Sequence, residues 1–258
     1  MQHDRGVDAV TVRWVWAFVD APQETFDDAL AFWQRVTRTS LSPRRGADGQ
    51  FVTLVPAQGD AWLKAQRLDD GPPRVHLDLD VEEPLPVARG RAVALGARVL
   101  DELDDVVVCA SPGGLVFCLT RWHPDETAAG QHRDGAESLV DQVCLDLPSA
   151  RYDAEVAFWT ALTGWARRDD DGDEDEFEHL DPPTGIPLQL LLQRLDDVDG
   201  DVRAHLDLSA ADPPAEVARH VDLGAERLER GRGWTVLRDP SGAVYCVTDR
   251  HPDAVRRT

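Results

Sequence analysis

The chain has 258 residues, 42% of them hydrophobic, enough for one large globular domain or two of ordinary size. A net charge of −21 repels phosphate backbones and anionic lipid, which sets aside nucleic-acid and membrane-surface roles. No apolar run approaches the length of a membrane helix, and the opening "MQHDRGVDAV" has neither the basic start nor the apolar segment of a signal peptide, so the expectation is a cytoplasmic protein.

In chain order, "VRWVWAFVD" (12–20) reads as a strand, and Phe26, Leu30 and Trp33 follow at helical spacing. "FVTLVP" (51–56) and "AWLKAQRL" (61–68) are strand-like, and "RVHLDLDV" (74–81) alternates with period two. A second helix ends at "LGA", where Gly96 suits a left-handed cap. "DVVVCASPGG" (105–114) and "LVFCLT" (115–120) form a hairpin across a Pro-Gly turn. The plan then starts again. Tyr152, Val156 and Trp159 mark a helix, and Asp212 before Pro213 starts a later one.

The two passes share words. "AFWQRVT" (31–37) matches "AFWTALT" (157–163), and "QRLDD" occurs at 66–70 and 193–197. "RVHLDLDV" matches "RAHLDLSA" (203–210), and "LGARVL" (95–100) matches "LGAERL" (223–228). "SPGGLVFCL" (111–119) matches "DPSGAVYCV" (239–247), and "HPD" closes both halves at 123–125 and 251–253, as the start of a terminal turn. These are tandem duplicates. The expected domains are 10–125 and 139–258, joined by a polar linker at 126–138, and each half is strand–helix–strands twice over.

The order of "FW", "HLDL", "LGA" and "DPSGAVYCV", found twice, resembles the glyoxalase/bleomycin-resistance/dioxygenase superfamily, also called vicinal oxygen chelate proteins. The likeness is greatest to its glyoxalase-like domains. It implies an α+β fold of tandem glyoxalase-like domains, each built of two βαβββ units whose curved sheets form cups, often around a divalent metal.

Alternation places side chains without that resemblance. Leu77, Leu79 and Val81 share one face of their strand; His76, Asp78 and Asp80 share the other. His205 and Asp207 repeat the second face, with Leu206 and Leu208 behind them. Val116 and Cys118 share a face, as do Val244 and Cys246. Trp14, Trp16 and Phe18 do so on the first opening strand, and Gln142, Cys144 and Asp146 on the second.

Metal-binding members of the superfamily carry a His or Gln on the opening strand, a His on the "HLDL" strand and a Glu after the "DPSG" turn; glyoxalases add a Glu on an intervening strand. Position by position, these become Trp14 and Gln142, His76 and His205, Cys118 and Cys246, and Trp62 and Gln189. Every carboxylate is missing, and with it the negative charge that a hard divalent ion needs. A His-plus-Cys pair could hold zinc, with Asp78 or Asp207 swinging in as a substitute, yet an Asp two residues beyond the His has its own direction and need not converge on one ion. The superfamily's usual exchange between halves would join His76 and Cys118 with Gln142 and Gln189 in a polar cup. It would join His205 and Cys246 with Trp14 and Trp62 in an aromatic one.

The expected function is binding of a small organic molecule in a cup, without a cofactor or the superfamily's metal site, by a monomer or homodimer. One rival is a lyase, isomerase or dioxygenase using a divalent metal at His76 or His205. Another is a protein with both cups filled, acting through its surface. Trp33 and Trp159 read as core. The cysteines read as reduced, and Lys64, the single lysine, as the one place for Schiff-base chemistry. The acidic run "RRDDDGDEDEFEH" (167–179) lacks EF-hand spacing and reads as a solvated loop. No serine-hydrolase elbow, P-loop or dinucleotide glycine motif occurs.

Overall fold

The computed structural model describes residues 8–123, 137–168 and 176–253. Most of the expected linker and acids 169–175 lie outside them. The first half runs β1 (Val12–Pro22), α1 (Phe26–Val36), β2 (Ser40–Leu41), β3 (Phe51–Val55), β4 (Leu63–Leu68), β5 (Arg74–Val81), α2 (Leu85–Ala94), β6 (Arg98–Glu102), β7 (Val106–Ala110) and β8 (Val116–Arg121). The second runs β9 (Ser138–Pro148), α3 (Tyr152–Thr163), β10 (Ala166–Arg168), β11 (Phe177–Asp181), β12 (Gln189–Leu195), β13 (Arg203–Ala210), α4 (Pro213–Asp222), β14 (Glu226–Arg230), β15 (Trp234–Arg238) and β16 (Val244–Thr248).

Each half closes its own eight-stranded mixed sheet, in the orders β2-β3-β4-β1-β5-β8-β7-β6 and β10-β11-β12-β9-β13-β16-β15-β14. Each sheet is two βαβββ units joined through an antiparallel centre, β1 with β5 and β9 with β13. The exchange of strands between halves expected from the superfamily does not occur. β1 is flanked by β4 and β5 of its own half, so Trp14 stays with His76, and Gln142 and Gln189 stay with His205.

What crosses between halves is a helix. α1 carries Phe32 and Trp33 onto Tyr245 of β16 at ring distances of 5.9 and 5.1 Å, and α3 carries Phe158 and Trp159 onto Phe117 of β8 at 5.9 and 5.2 Å. Both tryptophans are core, as their spacing predicts. One apolar cluster therefore runs through both halves, with Leu77 and Leu79 on one side and Leu206 and Leu208 on the other. Burying these leucines, at about 1.5–3 kcal/mol each, fixes strand parity and turns His76 and His205 to the opposite faces. Local signals hold as well: Asp212 caps α4 by accepting from the Ala215 N–H at 3.1 Å, and Gly96 takes φ +110° after α2.

Candidate functional site

One constellation is present in each half. Register places His76 opposite Phe18 and Asp78 opposite Trp16, and likewise His205 opposite Cys144 and Asp207 opposite Gln142. Gln142 therefore corresponds to Trp16, not to Trp14 as the motif alignment has it. On β8 and β16 the partners of the aspartates are Cys118 and Cys246. The side chains of His76, Asp78 and Cys118 converge, and so do those of His205, Asp207 and Cys246: each trio offers donor atoms within 4.8 Å of one another. Of the two outcomes open from sequence, the aspartates take the one in which each swings in beside its histidine. Behind each ring stands a further acid, Asp20 at 2.8 Å from His76 Nδ1 and Asp146 at 3.3 Å from His205 Nδ1.

The first cup is covered. Phe18 stacks on the His76 ring at 4.4 Å, and Trp14 packs edge-on against Trp16 at 6.3 Å. Trp16 is held by its indole N–H donating to Asp80 Oδ2 at 3.0 Å. Lys64 Nζ lies 3.9 Å from the Trp16 ring centre and 5.2 Å from that of Phe18, a cation over two π-faces rather than a Schiff-base amine in an open pocket. Trp62 belongs to neither cup: it packs against the core and donates to the Val140 carbonyl across the halves at 2.9 Å. Burial opposes a charged His76, but Asp20 and Asp78 outweigh it and raise the imidazole to about 9. Burial also pushes the Cys118 thiol far up, aided by Asp78.

The second cup is open. A hollow of about 180 Å³ is lined by Gln142, Cys144, His205, Asp207 and Cys246 on its floor, with Phe177 and Trp234 edge-on to each other at 6.1 Å. The polarity of the two cups is thus the reverse of that expected from strand exchange. The floor is a chain of hydrogen bonds. Gln142 Nε2 donates to Asp207 Oδ2 at 2.5 Å, while Gln142 Oε1 accepts from Gln189 Nε2 at 2.9 Å and from Arg250 at 2.5 Å. Arg250 also pairs with the fully buried Asp141 at 2.7 Å, and Arg168 donates to Gln189 Oε1 at 2.8 Å. Cys246 Sγ lies 3.6 Å from His205 Nε2, and Asp207 Oδ1 lies 3.2 Å from the same nitrogen. Burial opposes a charged His205, yet Cys144, Asp146 and Asp207 beside it hold the ring well above its usual value. Burial raises both neighbouring thiols, Cys144 to about 12.

The superfamily's oxygen-rich metal site cannot be assembled here. The last acid is Cys246, and the Gln142 carbonyl oxygen is committed to a guanidinium and an amide. The donors that do converge, an imidazole, a carboxylate and a thiol, suit a thiolate-accepting ion of the zinc class. Asp207 Oδ1 is itself paired with His205 Nε2 at 3.2 Å, so the trio is held together as an ion pair within the floor.

Asp20, Arg250, Phe177 and Trp234 were not found from sequence. Asp20 shares the parity of Trp14, Trp16 and Phe18, and Arg250 precedes the duplicated "HPD", so both carried a signal. Phe177 and Trp234 reach the hollow only through strand order.

The glyoxalase-like domain family matches residues 16–120 and again 142–248. Comparison with curated proteins finds no match. Among solved structures, the fold is similar to an extradiol ring-cleaving dioxygenase from B. fuscum, at 14% identity over 95% of this chain and 74% of that one, with TM-score 0.63. A variant of 4-hydroxymandelate synthase from Streptomyces coelicolor is similar at 15% identity over 95% and 93%, with TM-score 0.56. A xylose isomerase-like TIM barrel/4-hydroxyphenylpyruvate dioxygenase fusion protein is similar at 18% identity over 88% of this chain, with TM-score 0.58; the chain spans only 41% of its length. Likeness at these identities establishes the fold and leaves function to the site.

Proposed function

Since the chain belongs to the glyoxalase-like domain family of the vicinal oxygen chelate superfamily, with two such domains in tandem, we propose that its second cup binds a small organic molecule and that its first cup is a filled duplicate. The observation that carries this reading is the contrast at matched positions. Trp16 and Phe18 cover the first constellation, whereas Gln142 and Cys144 leave a hollow over the second. A cavity of about 150 Å³ takes a benzene-sized guest, so about 180 Å³ suits a molecule of one ring. Leu191, Phe177 and Trp234 supply apolar and aromatic wall, and Thr248, Arg232 and the Gln142–Asp207 floor supply polar contacts to orient a ligand. The hollow also disfavours the reading in which both cups are filled.

A second reading, metal-assisted chemistry, is favoured by one observation, the convergence of His205, Asp207 and Cys246. A cation held there would polarise a ligand oxygen. This chain's own part is to fix the donors: Asp146 orients the His205 ring, and Gln142 orients Asp207.

The test is a thermal-shift screen of single-ring aromatic compounds, because a ligand specific for the folded state raises the melting temperature. Hits abolished by Gln142→Trp, which reproduces the first-cup plug, support the reading. Hits unaffected by Gln142→Trp but lost in Trp16→Ala place binding in the wrong cup and overturn it.

A further inference from the structure

We propose that the molecule taken by the second cup is a single-ring carboxylate, its ring against Trp234 and Phe177 and its negative group met by the Arg232 guanidinium at the mouth. The inference rests on the second cup being the working one, and adds the charge of its ligand.

The observation that carries it is the tip of one hairpin, compared between halves. β6 and β7 turn through Leu103, Asp104, Asp105 and Val106, whereas β14 and β15 turn through Gly231, Arg232, Gly233 and Trp234. Both turns close with the same hydrogen bond, Leu103 N to the Val106 carbonyl at 2.8 Å and Gly231 N to the Trp234 carbonyl at 3.0 Å. The four positions therefore correspond one to one. The covered half has two acids at its tip, and the open half has one base between two glycines. Each glycine has a use. A Cβ at Gly231, where the first half has Leu103, would run into the Trp234 indole, so this glycine lets the ring lie on the turn. Gly233 has a φ of +93°, a left-handed conformation that a side chain would resist. Together they set an aromatic face and a guanidinium side by side at the edge of the hollow.

Arg232 is exposed and, among the described residues, takes part in no hydrogen bond or ion pair. In a chain with 48 acidic and 27 basic side chains, an unmatched cation beside a cavity stands against the background charge. In the first half the tip is matched, with Asp105 paired to Arg121 at 3.9 Å. At the place of Arg121 the second half has Asp249, which lies against Gly233 and forms no ion pair with Arg232. The acid on the floor is also engaged: Asp207 is held by His205 at 3.2 Å and by Gln142. A second arginine adds to the first. Arg250 precedes "HPD" where the first half has Trp122, and it gives three of its five N–H groups to Thr248, Gln142 and Asp141, which leaves two. A planar guanidinium matches a carboxylate with two parallel, charge-assisted hydrogen bonds, and the aromatic wall selects a ring.

The test is calorimetric titration with benzoate, benzamide and benzylamine, and with phenylacetate and phenylacetamide as a longer pair. These probes share a ring and differ in charge. Benzoate or phenylacetate should bind at least about tenfold more tightly than its own amide. That advantage should shrink as salt is raised to about 0.5 M, because the mouth is exposed. Arg232→Gln should remove the advantage while leaving the affinity for the amide and the ligand-free melting temperature within error. Arg232→Glu should turn the preference to benzylamine. An amide or amine that binds wild type as tightly as the acid, or an advantage that survives Arg232→Gln, overturns the assigned charge and leaves the cup standing, provided Gln142→Trp abolishes the binding. Binding that survives Gln142→Trp overturns both readings. No binding by any of the probes overturns this inference alone, since the cup itself is judged by the wider thermal-shift screen.

Discussion

The two cups have the same four residues at their base and opposite fates above it. In the first half His76 lies beneath the stacked Phe18, with Trp16 paired to Asp78 beside it, whereas His205, Asp207 and Cys246 of the second open onto a hollow. What separates them is not the constellation but the residues one strand over, where Trp16 and Phe18 stand in place of Gln142 and Cys144. A duplicated site is thus retained in one half as a packed polar core and in the other as a floor. Filling a cup with aromatic side chains adds burial to the half that contains them, while leaving it open keeps the site accessible.

A second contrast lies at the hairpin turns. Asp239 caps its own turn, accepting from Ser241 N at 2.8 Å and Ala243 N at 3.0 Å, and also accepts the Trp33 indole N–H at 2.8 Å. The first half has Ser111 at that position, and the carboxylate arrives instead from α3: Glu155 accepts from Gly113 N at 2.5 Å and from the Trp159 indole at 2.9 Å. Where Glu155 stands on α3, α1 has Ala29. One acid per junction is kept, but its chain position has moved.

The largest expected effect comes from breaking that second contrast. Glu155→Ala orphans two buried donors, each costing about 1–3 kcal/mol, so a loss of about 3–4 kcal/mol in a urea melt is expected. A loss under about 1 kcal/mol would show that the acid does not hold the junction. Next is the charge buried under the first-cup plug. The folded-state value of His76 is raised from 6.5 to about 9, so its contribution is full below pH 6.5 and falls away as pH rises through about 9. On the order of 3 kcal/mol is at stake. Wild-type stability should drop over that window relative to His76→Gln, and parallel curves for the two proteins would contradict it. A smaller effect belongs to the cation on the plug: Lys64→Met should cost about 1–2 kcal/mol and leave the second cup unchanged.

Much of this was legible in the sequence, because period-two alternation and repeated words are local. The duplication, the βαβββ order, and the shared face of His76 with Asp78 and of His205 with Asp207 all follow from runs of eight residues. Cup composition did not, because it depends on which half supplies the neighbouring strand, and no local pattern encodes that pairing. That Gln142 corresponds to Trp16 and not to Trp14 is a matter of register, which pairs Trp16 with Asp78 and Gln142 with Asp207. The convergence of Asp78 and Asp207 stayed open for a similar reason. Their parity was plain, but how far each side chain reaches towards its histidine is set by the assembled sheet.

The central claim is that the second cup alone is the working site, and exchange of the plug tests it most directly. A single-ring hit from the thermal-shift screen is titrated calorimetrically against wild type, Gln142→Trp, and the double variant Trp16→Gln with Phe18→Cys. Binding should be lost by at least 100-fold in Gln142→Trp and kept with one site or increased to two in the double variant. Binding undiminished by Gln142→Trp would contradict the account.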